Sequence, residues 1–370
     1  MKVFVPILVS AAFATGGGAA AAATLQVANN GVDSATCGSN AAPCRSITQA
    51  MARAAPGDTV LVRPGLYGDL NRDGLLGGPG EEFPSNGAVT IIKPLRVIST
   101  DGAAATVIDG GNGPSLFAVV WIYSNNVTFG EPGAGFLLTG AESGLQTQPV
   151  TGVRIAGNTV TGARLHGISA TSSGFVDVNN NVAHDLPGVG FGISSLLESQ
   201  RVYLHHNQAY NNGQGILSGT YGRHEVAYND VTNNVGVGIS VDFTPALIHH
   251  NTVAGNDIGI ASNAWSPDKL PSAGPVFYRN TLIGSQRFGI MVQSGPPVRT
   301  LVRENNFIGN ALGIPPEFFG PNCGLANFTG ETLNATNSYW GAATGPGPDP
   351  ADVACGNDPV ITTPFATRPN

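Results

Sequence analysis

From residue 153 onward, apolar and polar residues alternate in short runs. Each run stops at an asparagine, and after a polar turn a glycine followed by an aliphatic residue opens the next. Stacked together, VRIAGNTVTGARLHGIS, VDVNNNVAHDLPGVGFGIS, VYLHHNQAYNNGQGIL, EVAYNDVTNNVGVGIS, ALIHHNTVAGNDIGIA, VFYRNTLIGSQRFGIM and LVRENNFIGNALGIP repeat this order. Alternation with a period of two marks strands with one face buried, and the turn residues at each break keep them short. The repeat predicts a coil of three short strands.

The anchoring asparagines are Asn158, Asn180 or Asn181, Asn207, Asn229, Asn251, Asn280 and Asn305, about 22 to 29 residues apart, the length of one solenoid turn. Such an asparagine can bond its own backbone and its counterpart in the next coil, a ladder rising about 4.8 Å per step. Gly167, Gly192, Gly215, Gly238, Gly259, Gly289 and Gly313 read as turn positions of positive φ. Residues 66–88, 130–150 and 264–275 exceed what the pattern needs and are expected to be loops on one face.

The residue three before each asparagine (Ile155, Leu204, Val226, Ile248, Phe277, Val302) is apolar and expected in the core. Those two and four before then face outward. Coil by coil the outward face reads Arg154 and Ala156, Asp177 and Asn179, Tyr203 and His205, Glu225 and Ala227, Leu247 and His249. The strand after each glycine offers Ser169, Thr171, Ser194, Leu196, Leu217, Ser240, Asp242, Asn263 and Gln293, a small polar floor with Asp242 as its carboxylate.

Composition narrows the class. Charged residues are 11% of the chain and the net charge is -7, so no basic surface invites nucleic acid or an anionic membrane. Glycine is abundant (51 residues) without a Gly-X-Y period, which excludes collagen. Residues 1–23 have one lysine, a short apolar run and a small-residue tail, the build of a secretory signal peptide, with export expected. The four cysteines fall in two groups, Cys37 with Cys44 and Cys323 with Cys355. Disulfides pinning the chain ends are expected; zinc is the rival reading, but neither group has paired CxxC spacing.

In this pattern the chain resembles a right-handed parallel β-helix of the pectin-lyase-like superfold. PCRSITQAMARAAPGDTVLVRPGLYGD is similar to the start of many such proteins, where a helix covers the first coil, here with Ser46 and Gln49 as a capping box. ATNSYWGAATGPGPDP is similar to their closing segment, with Trp340 sealing the last coil. The expectation is one all-β domain over 24–370: cap and first coil over 24–65, coils with insertions over 66–315, and a C-terminal cap over 316–370.

No particular enzyme family of this fold is matched. Calcium-dependent pectate lyases carry WIDH where this chain has WIYS at Trp121 to Ser124. The NTDG, DD and GHG segments of galacturonan hydrolases are missing, as are the QDTL and DFIFG segments of pectin methylesterases. RLHGIS at Arg164 to Ser169 resembles a segment of alginate C5-epimerases, without their DPH signature. A lysine base has only Lys93 and Lys269 to draw on.

Two functions stand open. One is an enzyme on acidic polysaccharide, a lyase or C5-epimerase of uronic-acid polymers, monomeric and exported. Tyr203 or His205 would be base or acid, Asp177, Glu225 and His249 their neighbours, and Arg154, Arg201, Arg223 and Asp242 substrate contacts. The other is a non-catalytic glycan-binding or adhesin module. The doubled histidines, His205 with His206 and His249 with His250, also fit plain surface and turn roles, since alternation separates the members of each pair. Asp69, Asn71 and Asp73 in DLNRDG have the spacing that opens a calcium loop, although position twelve is Gly80 rather than glutamate.

Overall fold

The computed structural model describes residues 21–113, 116–171, 173–186, 188, 190–197, 199–219, 222–242, 245–264, 274–294, 300–312 and 321–370. The expected leader lies outside them up to residue 20, as do Gly313, Lys269 and most of the 264–275 loop. Among the described residues no helix is long and apolar enough to cross a membrane.

The chain visits three parallel sheets in turn. In a middle coil the strands are Arg201–His205, Gln208–Tyr210 and Gln214–Gly219, and each pairs with its counterparts in the coils before and after. The first sheet runs from Thr24–Val27 to Val360–Ile361, the second from Gly65–Gly68 to Asn306–Ile308, and the third from Gly87–Ile91 to Val353–Gly356. Ile155, Leu204, Val226, Ile248, Phe277 and Val302 are fully buried in the interior.

Thr24–Val27, inside the span expected for the cap and first coil, is the first rung and pairs with Thr59–Val62. One boundary differs from expectation. Residues 130–150 are a coil rather than a loop, with strands Leu137–Thr139 and Ser143–Thr147 and with Phe136, Leu138 and Leu145 buried. Glycines between its apolar residues conceal the alternation.

The asparagine ladder passes through Asn181 rather than Asn180. Each backbone amide donates to the side-chain oxygen one coil on, at 2.9–3.2 Å from Asn158 through Asn181, Asn207, Asn229, Asn251 and Asn280 to Asn305. Asn305 N closes the series on Ser338 Oγ. A second buried ladder, which the sequence pattern does not reveal, follows five residues later through Asn212, Asn234 and Asn256. It resumes with Ser285 on Asn310 and Asn310 on Asp352.

Close packing between coils explains the strand-opening glycines. Gly167, Gly192, Gly215, Gly238, Gly259 and Gly289 do not have positive φ. A Cβ on Gly167, Gly215, Gly238, Gly259 or Gly289 would stand 2.2–2.7 Å from the carbonyl oxygen of the next coil's glycine, and one on Gly192 2.7 Å from Asn212 Nδ2 of the second ladder. Glycine is there because the next coil occupies the space of a side chain.

Helix Ile47–Arg53 covers the first coil. Ser46 Oγ accepts from Gln49 N at 3.1 Å, but the reciprocal half of the box is supplied by Asp33, whose Oδ1 accepts from Ser46 N at 3.0 Å. Buried Glu82 takes the Ile47 and Thr48 amides at 2.7 Å, and Lys93 Nζ donates to the carbonyls of Met51, Ala52 and Ala54 at the other end. Trp340 is fully buried against Phe307, ring centroids 4.7 Å apart. The disulfides join Cys37 to Cys44 and Cys323 to Cys355.

Candidate functional site

Pairing in the first sheet sets Arg154, Asp177, Tyr203 and Glu225 side by side on successive coils. Two residues on, the row reads Asn179, His205, Ala227, His249 and Tyr278. Each histidine reaches back one coil to a carboxylate. His205 Nε2 lies 2.8 Å from Asp177 Oδ1, and His249 Nε2 lies 3.1 Å from Glu225 Oε1.

Asp177 also accepts from Asn179 Nδ2 at 2.9 Å, with Arg154 Nε 3.9 Å from its other oxygen. Burial works against its ionisation, but the hydrogen bonds from His205 and Asn179 and the charges of His205 and Arg154 outweigh it and hold the carboxyl below its ordinary range. At neutral pH it is an anion.

The other nitrogen of each histidine meets the next residue's ring. His205 Nδ1 is 2.9 Å from His206 Nδ1, and His249 Nδ1 is 2.8 Å from His250 Nδ1. His206 and His250 have φ of 55° and 54°, in a left-handed column with Asn180, Tyr228, Arg279 and Glu304. The rings of His206, Tyr228 and His250 stack within this column, with centroids 5.0 and 4.9 Å apart. Burial, then His249 and Arg279, depress the basicity of His250.

Expected to face solvent, His249 points outward yet is 6% exposed, because Tyr278 stacks on its ring at 4.8 Å and Tyr228 stands edge-on at 5.6 Å. Its ring is almost wholly covered by these neighbours. His206 is exposed and His250 half-buried. Their expected turn positions hold, and the doubling of the letters is the sequence signal that marks them.

Other candidates lie apart. Arg201 and Arg223 are paired at the opposite end of their strands from the histidines, and Arg201 bonds the Tyr203 hydroxyl while lying over its ring. Asp242 is on the third sheet, where burial raises its pKa against hydrogen bonds from Asn263 and Ser240. Of the expected polar floor, Ser169, Ser194, Leu217 and Ser240 are buried. His224 points into the core, between Ser218 Oγ at 3.1 Å and the Ser199 carbonyl at 3.0 Å.

The DLNRDG loop does not gather its oxygens. Asp69 Oδ2 accepts from Gly74 N, Asn71 Oδ1 from Asp73 N and Asp73 Oδ1 from Leu75 N, so the side chains serve turns in place of a shared ion. The donor set does not fit calcium. Asp33, Cys37 and Cys44 do cluster, but both sulfurs are in the disulfide and offer no thiolate. Two clefts, of about 600 Å³ beside Asp257 and Arg287 and about 1000 Å³ beside Asn322 and Val353, lie away from the histidines.

A family model described as "Right handed beta helix region" matches residues 143–339. No curated protein sequence matches the chain significantly. Similar solved structures include XylC in complex with xylose (12% identity, TM-score 0.51, covering 85% of this chain and 69% of that one). A GH136 lacto-N-biosidase from Eubacterium ramulus matches at 12% identity and TM-score 0.51 over 92% of this chain and 68% of that one. The A-module of the Azotobacter vinelandii mannuronan C-5 epimerase AlgE4 matches at 14% and 0.50 over 85% and 91%. At these identities the likeness is one of fold.

Proposed function

We propose, from the premise that this chain belongs to the right-handed β-helix family, that it is an exported protein acting on polysaccharide, as a lyase or C5-epimerase of uronic-acid polymers. One observation carries the proposal: a carboxylate and a histidine on adjacent coils form an oriented acid-base pair, and the pair is made twice on one face. Both reactions begin by removing the weakly acidic proton beside the sugar carboxylate, which needs a base and a cation to neutralise that carboxylate. Here the Asp177 and His205 pair anchors the proton-transfer face, Arg154 beside it supplies the cation, and Tyr203 with Arg201 flanks the pair. An epimerase and a glycoside hydrolase among the structures of like fold support polysaccharide as substrate. The two disulfides support export.

A non-catalytic glycan-binding module is the second reading. It is favoured by the position of the histidines on an open turn, away from the two clefts found among the described residues. The test is incubation of the purified protein with alginate, pectate and glycosaminoglycans. Absorbance near 232 nm from unsaturated ends would report a lyase, and solvent-deuterium exchange at C5 an epimerase. Turnover that survives His205→Ala and Asp177→Ala together would remove this site from the proposal. Binding without turnover would establish the second reading.

A further inference from the structure

In each doubled pair the first histidine has no nitrogen left for a substrate. His205 Nε2 faces the Asp177 carboxylate and His205 Nδ1 faces His206; His249 is held in the same way between Glu225 and His250. A nitrogen facing a carboxylate oxygen must carry hydrogen. Neutral His205 is therefore bare at Nδ1, and the short contact between the two Nδ1 atoms requires the hydrogen to belong to His206. That leaves the lone pair of His206 on Nε2, at the exposed tip of its ring. The same logic applied to Glu225, His249 and His250 leaves the lone pair on Nε2 of His250.

We propose that His206 and His250 are the proton-accepting residues of this face, each the outer end of a carboxylate–histidine–histidine relay. When Nε2 of His206 takes a proton, the Nδ1 proton passes to His205 Nδ1, and the positive charge settles on the ring beside Asp177. In the uronate reaction the C5–H bond breaks and the proton goes to Nε2. The electron pair expels the C4 oxygen, which takes a proton from water, in a lyase, or takes up a proton from water on the opposite face in an epimerase. This step rests on the polysaccharide reading, whereas the relay itself does not.

The surroundings of the two ends differ. His206 has His205 and Tyr228 beside it; His250 has His249, Tyr228, Tyr278 and the cation of Arg279. Arg279 follows His250 in the left-handed column and is half exposed, with its Nε donating to Glu304 Oε2 at 2.9 Å, so its cation is already paired within the column. The rings of His206, Tyr228 and His250 stack on successive coils, so this column of rings runs along the solenoid axis. The ligand class this suits is a sugar chain lying parallel to that axis.

The relay is read directly in long-range proton–nitrogen NMR spectra of the whole protein with 15N-labelled histidine at neutral pH. The expected result is hydrogen on Nδ1 of His206 and His250, the form free histidine disfavours, and on Nε2 of His205 and His249. Hydrogen on Nε2 of His206 and His250 would overturn the proposal. His206→Asn and His250→Asn assign the signals and keep a side chain that tolerates left-handed backbone. On a polyuronate that the wild type turns over, the double variant should lose at least about 100-fold in kcat with KM little changed. Turnover retained in that variant would also overturn the proposal. The expected tautomers with no wild-type turnover would sink the enzyme reading and leave the relay standing.

Discussion

Asn310 donates from Nδ2 to Asp352 Oδ2 at 2.7 Å, so the second buried ladder ends on a carboxylate where most of its other rungs are amides. Asp352 has no exposed surface, and burial pushes its pKa up to about 6 against the donors of Asn310 and Gly309.

Asp352→Asn should therefore stabilise the protein at neutral pH. The folded state holds the proton up to about pH 6, whereas the unfolded chain releases it near 4. Stability contributed by the protonated form is complete below pH 4 and lost as pH rises through 6, amounting to at most about 3 kcal/mol. Urea midpoints should separate the variant from the wild type at pH 7.5 and converge at pH 3.5. A constant difference across that range would count against the assignment.

Ser285→Asn should repair the break in the same ladder. Asn256 offers Asn234 an oxygen at 2.9 Å, but Ser285 is too short to offer one to Asn256, and its own Oγ is buried without a partner. Gly259 keeps the space beside it open. A gain of about 1 kcal/mol is expected from the new hydrogen bonds. A lowered melting temperature would show that the coil cannot take the longer side chain.

His224 should make the protein acid-sensitive. Burial depresses its pKa, with the Ser199 carbonyl opposing, so it is neutral in the core. A depressed histidine gives stability that is present above its ordinary pKa of about 6.5 and lost as pH falls through the lower folded value. The acid limb of a His224→Gln variant should be shallower than that of the wild type. Parallel limbs would refute the idea. Asp352 acts in the opposite sense, and because its contribution is gone by about pH 6 while that of His224 is complete only above about 6.5, the two do not reinforce each other in mildly acidic solution.

Gly215→Ala should cost about 3 kcal/mol. Its Cβ would meet Gly238 O at 2.3 Å and Val231 Cγ1 at 2.4 Å, whereas Gly347 has nothing within 4 Å. Gly347→Ala is the control and should change the melting temperature little. Equal effects at both sites would contradict the close-packing account of the glycine column.

Much of the solenoid is legible because alternation and the first asparagine column recur letter by letter. The second ladder is not, because Ser285 and Asp352 interrupt its spelling while preserving most of its bonding. The left-handed column is hidden for another reason: His206, Tyr228, His250, Arg279 and Glu304 share a backbone shape and no side-chain chemistry. Alternation also misleads at the doubled histidines. It sends His205 and His206 to opposite sides, but the left-handed φ of His206 turns its ring back beside that of His205. The residues gathered around Asp177 were visible as a row, but which nitrogen is available depends on bonds between coils that no linear pattern records.

Both asparagine ladders point one way. The backbone N–H of each rung donates toward the following coil and the side-chain oxygen looks back toward the preceding one, while the side-chain amide nitrogen divides its hydrogens between the next oxygen and a carbonyl of the preceding coil. The interior is thus a column of aligned amide dipoles, whose polarisation accumulates along the axis. Its positive end lies at the C-terminal cap. An interior with almost no formal charge is in this way electrically directional, and the two ends of the solenoid are unlike before any surface residue is considered.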